Sequence, residues 1–162
     1  MNKNRFYLLA LLGILMAFAP ACNTDPCKDV NCGANGTCLD GTCVCDAGYE
    51  GASCETEWAD KFVGSYLGRD ICKSGTYNLT KPAVISKRSA KEVRISNFGG
   101  FDSFLDTDVT KSDELSFTNK TDPAGRRFTG TAKISNKRLT GSYIVTYSDN
   151  TRDTCTCEYN KQ

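Results

Sequence analysis

Apolar positions divide the chain into three stretches. Phe6 to Ala19 is an unbroken apolar run of 14 residues. Between Cys27 and Cys54 the apolar side chains other than cysteine shrink to Val30, Ala34, Leu39, Val44, Ala47, Tyr49 and Ala52. From Phe62 onward, short runs rich in Val, Ile, Thr, Tyr and Phe alternate between apolar and polar residues, the mark of half-buried strands. Val93 and Ile95 share one face, with Glu92, Arg94 and Ser96 opposite. Leu115 pairs with Phe117. Phe128, Gly130, Ala132 and Ile134 form a further face, as do Leu139, Gly141, Tyr143, Val145 and Tyr147. The pattern predicts strands at 62–72, 76–80, 83–87, 92–97, 103–110, 114–118, 127–135, 138–148 and 153–159. Turn residues separate them, among them Lys73-Ser74-Gly75, Phe98-Gly99-Gly100, Asp122-Pro123-Ala124-Gly125 and Asn136-Lys137.

About nine strands joined by hairpin-length turns predict an all-β fold. Residues 62–162 read as an antiparallel meander closed into a small barrel, with a sandwich as the alternative. The glycines inside strands, Gly64, Gly68, Gly130 and Gly141, read as bends at barrel corners. The aromatic set Phe62, Tyr66, Tyr77, Phe101, Phe104, Phe117, Phe128, Tyr143 and Tyr147 reads as core, with some members near a cavity mouth. Trp58 and Phe62, four apart, predict a short helical turn in a linker over 56–61. A tryptophan-bearing turn followed by Phe62-Val63-Gly64-Ser65-Tyr66 resembles the start of a lipocalin-like barrel. The expected role is structural or interacting, with the inward face full; the alternative that the likeness implies is a binder of a small apolar ligand.

The middle stretch holds six of the chain's ten cysteines in 28 residues, with four, five, four, one and eight residues between them. So polar a segment cannot bury enough surface to stabilise itself, so disulfides must do so. Gly48 and Gly51 suit tight turns, and Asp40-Gly41 suits a two-residue hairpin. Cys43-Val44-Cys45-Asp46-Ala47-Gly48-Tyr49 and the run on to Cys54 satisfy the C-x-C-x-x-G-[FYW] and C-x-C-x5-G-x-x-C patterns. Residues 27–55 thereby resemble an EGF-like module. The resemblance implies the pairs Cys27–Cys38, Cys32–Cys43 and Cys45–Cys54. It does not imply a calcium site here, because Leu39-Asp40-Gly41-Thr42 is short and lacks an aromatic. Zinc is not expected either, since no C-x2-C pair occurs.

Cys72, Cys155 and Cys157 lie in the second domain. Cys155 and Cys157 share a strand face, with β-carbons roughly 6–7 Å apart, too far for a direct bridge. Either can reach Cys72; Cys72–Cys155 is the favoured pair.

The N-terminal run, preceded by Lys3 and Arg5 and ended by Ala19-Pro20-Ala21, has the length of a signal-peptide core and falls short of a membrane span. Residues 1–21 therefore read as a signal peptide cleaved after Ala21. Cys22 then resembles the acylated cysteine of bacterial lipoproteins, although Ala19 and Pro20 replace that family's usual leucine and small residue. The resemblance implies a lipid anchor at Cys22, a tether over 22–26, and a place at the cell envelope, at the outer membrane or surface. The membrane is the expected partner, with a protein or a small apolar ligand as a second one.

Charge and composition exclude other classes. One lysine faces six acids over 22–55, whereas 17 of the 20 basic residues and 13 of the 19 acids fall after Glu55. The basic residues are interspersed with acids, the pattern of a solvated face, so no nucleic acid is expected. The chain has no histidine, which removes Ser-His and Cys-His pairs and His-containing zinc sets. No nucleophile elbow or phosphate loop occurs. Asp102, Asp106 and Asp108 read as one outer, solvated face. The chain is therefore expected to be non-enzymatic, with no catalytic residues, metal or cofactor.

Overall fold

A computed structural model describes residues 25–162. The expected signal peptide over 1–21, Cys22 and the first part of the expected tether lie outside the described residues.

The N-terminal module is built on two small hairpins. Strands β1 (Gly36–Leu39) and β2 (Thr42–Cys45) pair through an Asp40-Gly41 turn in which both residues have positive φ, the type that matches strand twist. Strand β3 (Tyr49–Glu50) pairs with β4 (Thr56–Glu57). Thr56 and Glu57, placed in the linker by sequence, are thus tied to the module by a ladder. A 3-10 turn, Trp58–Lys61, follows.

The second domain is a closed eight-stranded antiparallel barrel. Its strands are β5 (Gly64–Cys72), β7 (Ala83–Ser89), β8 (Glu92–Ser96), β9 (Phe104–Lys111), β10 (Glu114–Ser116), β12 (Arg127–Ser135), β13 (Arg138–Thr146) and β14 (Arg152–Lys161). They run in that order around the wall, and β14 closes on β5. Two short strands, β6 (Gly75–Asn78) and β11 (Lys120–Thr121), add to β5 and β12. All nine expected strands are present, and β11 is the addition. The strands coil tightly enough that a β-carbon on Gly68 would lie 1.9 Å from the Glu158 carbonyl oxygen. That glycine answers to a neighbouring strand.

The barrel is filled. Phe62, Tyr66, Val93, Val109, Leu115, Phe117, Leu139 and Tyr159 have no exposed surface. Phe98 stands at the centre, with ring centroids 4.9 Å from Phe117 and Tyr143, 5.8 Å from Phe128 and 6.0 Å from Tyr159. The expected aromatic core needs two corrections. Tyr77 (49% exposed) and Phe104 (38%) lie outside it. Phe98, read as a turn residue, and Tyr159 take their place. Phe104 opens β9 on its outward face, where Arg94 lies 3.8 Å over its ring.

The barrel ends differ. The 3-10 turn at Trp58–Lys61 packs on β7 and β9, and Ala59 is fully buried there. The N-terminal module joins the same end. Trp58 N–H donates to the Gly48 carbonyl at 2.8 Å, and Ala59 N–H to Ala90 in the β7–β8 turn at 3.3 Å. Lys87 bridges Glu57 and Asp60 at 2.9 Å each, and Lys61 meets Glu50 at 2.6 Å. Gly48 is buried with φ +107°, and a β-carbon there would lie 2.7 Å from Lys91 Cγ. The opposite end carries the β5–β6 turn and the loops at 97–103, 122–126 and 147–151.

Candidate functional site at the open end of the barrel

The site arises from the register of two strands. In β5, period-two alternation carries the inward face from buried Tyr66 through Gly68 to Asp70 and Cys72. In β14 the inward positions are Asp153, Cys155, Cys157 and Tyr159. The ladder sets Asp70 against Cys157 and Cys72 against Cys155. Two acids therefore point inward, at 1% exposure for Asp70 and 7% for Asp153.

Each acid is satisfied by uncharged donors. Tyr143 Oη donates to Asp70 Oδ1 at 2.8 Å, and Tyr159 Oη to Oδ2 at 2.6 Å. Tyr159 Oη in turn accepts from the Gly99 N–H at 3.1 Å. Asp153 accepts from the Lys73 N–H at 3.1 Å and from the Ser74 hydroxyl, which also contacts Tyr77 Oη. Burial raises the Asp70 pKa, and the hydrogen bonds from Tyr159 and Tyr143 work against that rise. Burial first, then the Asp70 charge, pushes both phenols well above their ordinary value. Burial also pushes the Cys157 thiol up to about 12.

Asp70, Tyr143, Tyr77 and Asp153 meet at a cleft of about 130 Å³. Asp70, Cys72, Tyr77, Gly99, Phe101, Tyr143, Val145, Tyr147, Asp153 and Cys155 line it. Gly99 has φ +67°, and a β-carbon there would lie 2.9 Å from the Phe101 ring and 3.1 Å from Tyr143 Oη. A side chain at 99 would enter the cleft. A second concavity, of about 300 Å³, lies on the outer wall, where Arg69 and Arg138 both meet Glu158, at 3.1 and 3.4 Å.

The structure pairs Cys27 with Cys38, Cys32 with Cys43, Cys45 with Cys54, and Cys72 with Cys155. Cys157 is free and buried. Cys72, Asp153 and Cys155 place their ligand-type atoms within 4.8 Å of one another. With the two sulfurs joined, that group offers one carboxylate and no thiolate. Asp106 and Asp108 lie on the outward face of β9 and pair with Arg94 (2.7 Å) and Lys120 (2.8 Å), and Asp102 pairs with Lys81 at 3.0 Å. None of the three lines the cleft.

Sequence reading missed Asp70 and Asp153. The signal was there: each is an acid standing in the apolar register of its strand. Two strands must be laid side by side before those acids become one site.

Residues 27–57 match the family described as the Teneurin-like EGF domain. No curated protein matches the chain. The EGF-like module is thus supported by both sequence and structure, and its disulfides suggest an extracellular or exported protein.

Proposed function

We propose that this chain is a non-enzymatic bacterial surface lipoprotein, acylated at Cys22, in which the EGF-like module spaces or adheres and the barrel is the interacting body. The carrying observation is the filled barrel fastened to the module. Phe98 and its aromatic neighbours occupy the interior, and the Gly48–Trp58 and Ala59–Ala90 hydrogen bonds join the two units at one end. A packed body on a short, well-seated stalk suits presentation of a surface to a protein partner. The same filling disfavours a carrier of a large apolar ligand, since the cleft's 130 Å³ is below the roughly 300–1,000 Å³ of drug-sized pockets. Residues 23–26 would hold the module within about 14 Å of the bilayer.

The test is the intact, non-reduced mass of the protein from its own envelope, together with fractionation of a Cys22→Ser variant. The expected result is a chain beginning at Cys22 and heavier by its acyl groups, with the variant released from the membrane. An unacylated mass, or a variant that stays in the membrane fraction, overturns the anchor.

A further inference from the structure

Four aromatic side chains, Tyr77, Phe101, Tyr143 and Tyr147, wall the cleft. Asp70 and Asp153 stand in the same lining and are nearly excluded from solvent. Among the described residues neither forms an ion pair, and their donors are a backbone N–H and three hydroxyls. Burying a charge without an opposite one is costly. The nearby guanidinium of Arg126 lies 4.2 Å over the Phe101 ring and is already matched by Asp122 at 2.6 Å. Asp149, beside Tyr147, adds a further negative charge and accepts from the Thr151 N–H and hydroxyl. The cleft therefore combines negative potential, π-faces and a small volume.

We propose that this cleft binds a small organic cation, an ammonium group bearing methyl substituents. The ring faces attract a cation through their quadrupoles, most strongly when it is desolvated. A metal ion is a poorer match. It would need several oxygen ligands, yet both Asp70 oxygens already accept from tyrosines, and most of the wall is carbon. A neutral apolar guest would leave both carboxylates without an opposite charge. The volume suits a headgroup of a few heavy atoms. Gly99 keeps the space open, because a side chain there would meet Phe101 and Tyr143. The proposal does not depend on the anchor or on the surface role.

The experiment titrates tetramethylammonium chloride into the full chain with its disulfides formed, at constant ionic strength set with sodium chloride. Aromatic-ring NMR shifts are read, and tert-butanol serves as the neutral comparator of similar shape. Saturable shifts of the Tyr77, Phe101, Tyr143 and Tyr147 rings are expected, with tert-butanol at least about tenfold weaker. Tyr77→Ala and Asp153→Asn should each weaken the cation by about tenfold. Both variants lose a contact with the Ser74 hydroxyl, so the amide NMR spectrum of each is required to show a wild-type fold; Tyr77 is half-exposed, and its removal leaves the fold's core untouched. Shifts that rise without saturation, equal binding of tert-butanol, or unaltered binding by folded Tyr77→Ala protein would each overturn the proposal.

Discussion

In the N-terminal module, residues 25–57, the buried residues are Cys32, Gly48 and Cys54. In the barrel they include Phe98 and the four aromatics around it, Phe117, Phe128, Tyr143 and Tyr159, with Ile85, Ile95, Leu105, Leu115 and Leu139 also in the core. One unit is held by cross-links that restrict its unfolded chain, the other by apolar surface removed from water. The difference teaches how a chain can carry a module too small for a core: it seats that module on a neighbour that has one. Gly48, Trp58 and Lys87 form the seat.

The largest expected effect breaks the barrel alone. Phe98→Ala removes the ring that touches Phe117, Phe128, Tyr143 and Tyr159. It should cost the barrel about 3–5 kcal/mol in urea unfolding followed by near-ultraviolet circular dichroism. Amide exchange in β1 and β2 should stay slow. If those amides lose protection in step with the barrel, the two units are not separately held.

Next in size is the reverse experiment. Replacing Cys45 and Cys54 together by serine opens a loop of sequence separation 9 and should cost the module about 2–4 kcal/mol. Exchange by residue should rise across Tyr49–Glu57, while the barrel midpoint stays close to wild type. A matching fall in the barrel midpoint would show that the seat stabilises both partners.

The smallest effect concerns the barrel's outer face. The hydrogen bond from Arg94 lowers the Asp106 pKa, against a smaller opposing effect of burial. A carboxylate whose folded pKa is depressed stabilises the fold above its unfolded pKa, near 4, and loses that contribution as the pH falls through the lowered value. Asp106→Asn should therefore flatten the acid-side loss of stability while changing neutral-pH stability by less than about 1 kcal/mol, because the pair is about one-third exposed. Acid titration of both proteins by thermal melts checks this. An unchanged acid limb would mean that the ion pair contributes nothing.

Much of this architecture is legible before folding. Alternation at Val93/Ile95 and along Leu139 to Tyr147 marks strands because a pleated chain faces water on alternate residues. Turn chemistry at Asp40-Gly41 marks a hairpin because both residues need positive φ, which costs glycine nothing and aspartate little. The cysteine spacing marks the module. The candidate cleft was not legible in the same way. Tyr77 looked like core because it is aromatic, yet the short strand β6 lies at the margin of the wall and leaves its ring half-exposed. Phe98 looked like a turn residue because two glycines follow it.

By itself, the sequence determined the local features: strand periods, tight turns, an all-β class, and a module with too little apolar surface to hold itself. Those depend on residues a few positions apart. Only tertiary structure decided the register in which β14 meets β5, that Asp70 meets Tyr143 and Tyr159 across 73 and 89 residues of chain, and that Phe98 turns inward to fill the barrel. Such pairings depend on strand register and closure, which bring together side chains that no local pattern relates.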